Sequence, residues 1–290
     1  TLKKIEHPEN HYLKLMEKII DKGDKRETRN ATTLSLFGEQ LKFDISERFP
    51  LLTTKKMFWK GIVEELLFFL RGETDASKLN EKGVKIWNFN TTREFLDNLG
   101  LNDYKEGEMG PMYGYQWRKF NKPYKKEGKG YDQLLNCINL IKNNPTNRRI
   151  MMTTFNPLQL DESVLAPCHS IVVQFYVNQG KLSCHMYQRS ADTFLGLPFN
   201  IASTSLLTHI IASITNLKPG EVIISLGDTH LYDEHIEAAI KQLDRAPMEF
   251  PKLFIKKELK TIDDIENLEY SDFELIDYQS HPGIKATMIA

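Results

Sequence analysis

The sequence predicts a fold that mixes β-strands with α-helices in one continuous unit, and three observations carry that expectation. A hairpin is written between Ser170 and Tyr187: an apolar run rich in β-branched and aromatic residues, Ile171 to Val177, then a turn at Asn178-Gln179-Gly180, then a return over Lys181 to Tyr187. Apolar residues recur at helical spacing in several stretches, first at Tyr12, Leu13, Leu15, Met16, Ile19 and Ile20. No low-complexity linker divides the 290 residues, so a single domain over residues 1–290 is expected.

In chain order, the helix from His7 to Lys22 is closed by Gly23. A polar loop, Lys25 to Thr33, carries Arg26 and Arg29, and Leu34 to Phe43 reads as a strand. Trp59 to Arg71 is a strongly apolar helix containing Glu64 and Glu65. Adjacent residues project about 100° apart on a helix, so the two carboxylates cannot both be solvated. An inward carboxylate there either pairs with a lysine or moves protons through water. Val84 to Trp87 is a short apolar segment in which Trp87 alone reads as core. Gly110 to Trp117 is a glycine-rich bend that presents Tyr113, and Lys119 to Gly130 is a charged, exposed loop. A helix over Asp132 to Asn143 ends at Asn144-Pro145. Arg148 and Arg149 precede a strand from Ile150 to Phe155. On an extended segment they would point in opposite directions, and surface exposure is their plain reading. An amphipathic helix over Asn200 to Thr215, a strand over Glu221 to Leu226 and a helix over Asp233 to Leu243 complete the pattern.

Composition narrows the function. Lys and Arg total 38 against 39 Asp and Glu, a formal net charge of -1, so no basic field argues for nucleic acid and any anion site must be local. Three cysteines, Cys137, Cys168 and Cys184, cannot all pair and fit a reducing compartment, so a cytoplasmic location is expected. Thr1 to Asn10 is polar, unlike a signal peptide, and no apolar run reads as the ~20 residues of a membrane helix. Thr1 in place of an initiator Met points to processing, trimming or excision from a longer chain.

The chemistry gathers between Leu165 and Asn200. Cys168 follows a proline and precedes a strand, where a thiol can face a pocket. At about 3.3 Å per strand residue, the antiparallel return brings Tyr187 to Arg189 within side-chain reach of Cys168. Arg189 and Ser190 are a cation and a hydroxyl suited to a phosphate, and Asp192 and Asn200 follow. Asp228-x-His230, with Cys168-His169 and Cys184-His185, could be half of a metal site. Zinc ligands favour pairs two to four residues apart, whereas adjacent strand residues face opposite sides, so no metal is expected.

The segments Ala166-Pro167-Cys168-His169, Gln188-Arg189-Ser190-x-Asp192, Leu195-Gly196-Leu197-Pro198-Phe199-Asn200-Ile201-Ala202-Ser203 and Gly227-Asp228-Thr229-His230-Leu231-Tyr232 together resemble the folate-dependent, cysteine-nucleophile thymidylate synthases. The likeness runs from Ser35-Leu36-Phe37-Gly38 to Ile284-Lys285. It implies an α+β fold with a large mixed sheet, helices on one face, and sheets packed back to back in a homodimer. It implies reductive methylation of dUMP to dTMP, with 5,10-methylenetetrahydrofolate donating carbon and hydride and leaving as dihydrofolate. Cys168 would add to pyrimidine C6, Glu65 and Tyr113 would handle protons, and Asn200 would read the base. The nucleotide would be held by Arg29, with Arg26 as the alternative, by His169, Gln188, Arg189, Ser190, Asp192, His230 and Tyr232, and by Arg148 and Arg149 reaching across from the partner. Folate would meet Ile86, Trp87, Leu165, Asp192, Gly196 and Phe199, with Lys55 near its glutamate tail and the C-terminal residues through Ala290 closing over it. A pyrimidine nucleotide hydroxymethylase and an idle nucleotide- or RNA-binding descendant are the rival readings. Retention of Cys168, Glu65 and Asn200 opposes the second.

Overall fold

The protein is described by a computed structural model covering residues 6–29 and 31–289. Helix α1 (Glu9–Lys22) buries Tyr12, Leu13, Leu15, Met16 and Ile19, the stripe that the spacing predicts. Strands β1 (Asp24–Glu27) and β2 (Thr32–Asp44) follow as an antiparallel pair. Next come α2 (Trp59–Leu70), α3 (Ser77–Glu81), α4 (Arg93–Asn98), α5 (Gly114–Lys119) and α6 (Gln133–Asn143). Then follow β3 (Met151–Thr153), β4 (Val172–Asn178), β5 (Lys181–Asp192), α7 (Gly196–Ile214) and β6 (Lys218–Tyr232). The chain continues through α8 (Ile236–Leu243), β7 (Lys252–Ile255), α9 (Ile262–Glu266) and β8 (Phe273–Ile276).

Among the described residues the strands form a six-stranded sheet in the order β1-β2-β6-β5-β4-β3 and a separate β7-β8 pair, an α+β architecture. The large sheet is mixed. Its neighbours run antiparallel except β5 and β6, which are parallel and joined through α7, because a parallel pair needs a long crossover that a hairpin cannot supply. The predicted hairpin is β4 and β5. Val172 faces Tyr187 and Asn178 faces Lys181, leaving Gln179 (φ 49°) and Gly180 (φ 74°) as a tight turn whose left-handed backbone matches the strands' twist.

Helices cover one face. On β5 the inward side chains Leu182, Cys184, Met186 and Gln188 are buried, and α7, lying against β5 and β6, is buried along nearly its whole length. By length and composition α7 is apolar enough to cross a membrane, contrary to the expectation from sequence, but it is the core helix of this fold.

Four local differences from the sequence reading have physical causes. Helix α7 begins at Gly196 rather than Asn200, because Pro198 falls in its first turn, where a missing N–H costs nothing. Strand β6 runs on to Tyr232 because β2 and β5 pair with it on both sides. The strand after the arginine pair is cut to Met151–Thr153, and Arg148 and Arg149 lie in an exposed turn rather than on extended backbone. Finally, both Glu64 and Glu65 are buried: Glu64 pairs with Lys82 Nζ at 3.1 Å, while Glu65 faces a cavity.

Candidate active site

The hairpin and the parallel β5-β6 pair converge on a cavity of about 320 Å³. Cys168 reaches it from the segment that feeds β4. Its carbonyl accepts the Arg189 N–H at 2.9 Å, and the Arg189 guanidinium folds back on the same segment, donating to Pro167 O at 2.7 Å and Ala166 O at 3.0 Å. That places Arg189 Nη2 3.6 Å from Cys168 Sγ. Burial pushes the thiol's pKa up, and the fixed guanidinium pulls against it by favouring the thiolate.

Tyr113 locks the other side of the nucleophile. Its phenol oxygen accepts the Cys168 N–H at 3.0 Å, so its own proton remains to be donated, and burial keeps that phenol protonated. Tyr113 has φ 45° and ψ −107°, a strained conformation for a residue with a side chain. Stacking on Phe69 at 4.9 Å and His169 at 4.5 Å between ring centres holds it there. Gly114 allows the approach, since a Cβ at that position would lie 2.1 Å from the Phe69 carbonyl oxygen. Burial lowers the His169 pKa to about 4, which leaves a neutral ring beside Cys168.

Glu65 is the tuned carboxyl of the site. Burial raises its pKa to about 7, while the Trp87 indole N–H, donating to Oε2 at 2.7 Å, works in the opposite direction. A carboxyl titrating near neutrality can both give and take a proton.

Asn200, Gln188 and Ser190 form a directional chain. The Ser190 carbonyl can only accept, so it takes a hydrogen from Gln188 Nε2 at 3.1 Å, and the same nitrogen donates to Asn200 Oδ1 at 3.0 Å. The amide of Asn200 therefore cannot flip without opposing two donors.

The register of β5 and β6 sets Asp192 beside His230 and Ser190 beside Asp228. Asp192 Oδ1 accepts the N–H groups of Phe194 and Leu195, both at 3.1 Å, and shapes the entry into α7. Asp228 was weighed from the sequence only as half of a metal site, and no other role was assigned to it. It faces His230 Nδ1 at 3.0 Å and accepts from Ser35 Oγ at 2.6 Å and Arg26 Nη1 at 2.8 Å. The spacing Asp228, His230, Tyr232 on a strand was the available signal, obscured because the sequence reading ended the strand at Leu226. Asn90 and Leu195 also line the cavity: no motif marked Asn90, and Leu195 stood in a motif without a role assigned to it.

Ile86, Trp87, Leu165, Leu195, Gly196 and Phe199 are the apolar lining of the cavity, with Met288 and Ile289 beside them in it. Arg26 is committed to Asp228, while Arg29 is exposed near the turn between β1 and β2. Arg148 and Arg149 do not line the cavity. Neither does Lys55: its buried ammonium donates to the Phe194 carbonyl and lies 3.6 Å from the centre of the Phe194 ring. Burial drives its pKa down to about 7, against the pull of Asp192. Ala290 lies outside the described residues. Among the described residues no cluster of three or more metal-ligating side chains is assembled.

Comparison with known proteins agrees with this geometry. The family model described as thymidylate synthase matches residues 10–290. The chain is 48% identical over 288 residues to a thymidylate synthase of Homo sapiens, covering 97% of this chain and 91% of that protein. It is also 48% identical over 291 residues to thymidylate synthase 1/2 of Encephalitozoon cuniculi, covering 98% of each. A bifunctional dihydrofolate reductase-thymidylate synthase of Paramecium tetraurelia is 48% identical over 98% of this chain, which spans only 62% of that longer relative. A tuned carboxyl, a guanidinium-flanked thiol and a flip-locked amide around one cavity thus stand in a chain that belongs to the thymidylate synthase family and is an enzyme of that family.

Proposed function

We propose that this enzyme converts dUMP to dTMP by reductive methylation, with 5,10-methylenetetrahydrofolate as co-substrate and Cys168 as a covalent catalyst. The observation that carries this reading is the 3.6 Å approach of Arg189 to the sulfur of Cys168, a residue that lines one cavity with Glu65 and Asn200. Uracil C5 is a poor nucleophile. As the Cys168 thiolate bonds to C6, the C5–C6 π pair moves toward C5 and O4, and the ring becomes an enolate that is reactive at C5. Asn200 Nδ2 faces the developing charge on O4, and the second lone pair of Oδ1 accepts N3–H. Once C5 has bonded to the one-carbon unit, the Glu65 carboxylate takes the C5 proton, with Tyr113 as a hydrogen-bond donor. The freed pair expels the folate nitrogen and leaves an exocyclic methylene, and hydride addition to that carbon returns a pair to the ring and expels the Cys168 thiolate. The apolar flank of Ile86, Trp87, Leu165 and Phe199 suits a flat pterin, with Asp192 as a polar partner at its edge. When bound, the folate supplies the one-carbon unit and the hydride that completes the methyl group.

The phosphate is assigned to Arg29, Arg189 and Ser190, joined by Arg148 and Arg149 from a second copy. Homodimerisation is supported by the sheet's uncovered face, where Met151, Tyr176 and Tyr187 are 42%, 66% and 38% exposed, with Ile223 beside them. The arginine pair adjoins β3 at the border of that face. A cytoplasmic site of action is part of the same proposal.

The test is a mass spectrum of the protein with 5-fluoro-dUMP and methylenetetrahydrofolate. Fluorine cannot leave C5 as a proton does, so an adduct of protein, nucleotide and folate is expected on the Cys168 peptide. Unmodified protein after turnover-competent incubation overturns the reading, and the mass of the natural product separates methyl from hydroxymethyl.

A further inference from the structure

His235 follows β6 in a single tight turn, Asp233–His235, and is completely buried. Its ring is packed between Phe194 and Tyr232, each 5.5 Å away between ring centres. Its Nε2 lies 2.6 Å from the carbonyl oxygen of Thr287. A carbonyl only accepts, so Nε2 carries the hydrogen. Nδ1 is buried without a hydrogen-bond partner among the described residues and stands 3.9 Å from Asp192 Oδ1. The hydrogen bond to Thr287 is thus the one that the buried ring makes among the described residues.

The residues after Thr287 are Met288 and Ile289, which line the cavity together with Trp87 and Phe199. Upstream, the terminal segment is pinned at His281, which donates its N–H to Thr53 O at 2.8 Å, and at Pro282, whose carbonyl accepts from Arg245 at 2.6 Å. Four residues lie between that anchor and Thr287; Ile284 and Ala286 among them pack on the core, and beyond them a hydrogen-bonded anchor next to Met288 is what would hold the end of the strap in place. His235 supplies that anchor, and it contacts both the strap and the cavity residue Asp192.

We propose that His235 is the latch of the C-terminal strap: a positioning residue that never meets the reacting atoms but fixes the wall against which the folate is held. This rests on the methylation reading for the identity of the ligand, but the latch itself can be tested without any ligand. Hydrogen exchange is measured on the ligand-free full chain for wild type, His235→Phe and His235→Gln. Phenylalanine keeps the ring volume and removes the donor, whereas the glutamine amide can still donate to Thr287 O. His235→Phe is expected to speed exchange in residues 284–289 about tenfold or more, and His235→Gln to restore most of the protection. In steady state the phenylalanine variant is expected to raise KM for methylenetetrahydrofolate about tenfold while the dUMP Kd stays within twofold. In a chain ending at Ala286, His235→Phe should change nothing further. Unchanged strap exchange in His235→Phe overturns the latch, as does an equal loss in the truncated chain, which would mean a packing role. Wild-type protein that fails to methylate dUMP while showing the exchange pattern overturns the substrate reading and leaves the latch standing.

Discussion

The two faces of the six-stranded sheet contrast sharply, and β5 belongs to both. Its inward residues, Cys184, Met186 and Gln188, lie under α7 in a sealed interior that ends at Asn200. Its outward residues, Ser183, His185 and Tyr187, are partly or fully exposed, and His185 meets Ser225 across the sheet at 2.7 Å. Antiparallel sheets often leave one face to water, but such faces are usually polar. Here exposed Tyr176, Tyr187 and Met151 interrupt the polarity. The inner face is finished by one chain. The outer face is the one on which the proposed second copy would pack.

The largest effect is expected from the inner side. Cys168→Ser should lower dTMP formation by at least about 10³-fold, because an alkoxide is far harder to form than a thiolate, while dUMP binding measured by calorimetry persists. Near-normal turnover in that variant would remove covalent catalysis from the scheme. Glu65→Gln keeps the shape and the indole contact but cannot exchange a proton, so a loss of about 10²-fold in kcat is expected, together with loss of the pH-rate limb near 7.

If the dimer proposal holds, the outer side responds differently, because its contribution comes from the second copy. Arg148→Ala/Arg149→Ala and Cys168→Ala proteins should each be poorly active, yet mixing under subunit exchange should regain about a quarter of wild-type activity, since half of the dimers then carry one intact site of two. No recovery after proven exchange would break the contrast between the faces. A smaller effect is expected from Asn200→Asp: a shift of roughly tenfold in the ratio of kcat/KM for dUMP over dCMP, toward dCMP, since unpaired buried groups cost about 1–3 kcal/mol each. An unchanged ratio would free Asn200 from base reading.

The smallest effect concerns stability. Glu65 is raised in the fold from an ordinary carboxylate range to about 7, so between roughly pH 4.5 and 7 the native state holds more protons than the unfolded one. Stability attributable to this group is therefore full below that window and falls as pH rises through it. Glu65→Gln should gain on the order of 1–3 kcal/mol relative to wild type at pH 8 and nothing near pH 4. Denaturant melts at the two pH values check the sign.

Much of this was legible from residue order. The hairpin, the buried stripe of α1 and the convergence of Arg189 on Cys168 follow from local periodicity and turn chemistry. Three features were not. The full length of β6 depends on partners distant in sequence, β2 and β5, whose hydrogen bonds keep Gly227 to Tyr232 extended. The burial of Lys55 depends on Glu9, which accepts from the Thr53 and Thr54 backbone N–H groups at 2.8 Å and draws that segment inside. Asp228 has a role only once Arg26, Ser35 and His230 are brought around it by three different strands.

The chain from Ser190 through Gln188 to Asn200 has a consequence for how such a site can change over generations. Its first link is a main-chain carbonyl, which every residue possesses, so no substitution at position 190 deletes it. The hydroxyl of that residue, assigned to phosphate, can therefore drift without disturbing the orientation of the amide assigned to the base. Affinity for the anion and choice of pyrimidine are separately heritable, though they begin at the same amino acid.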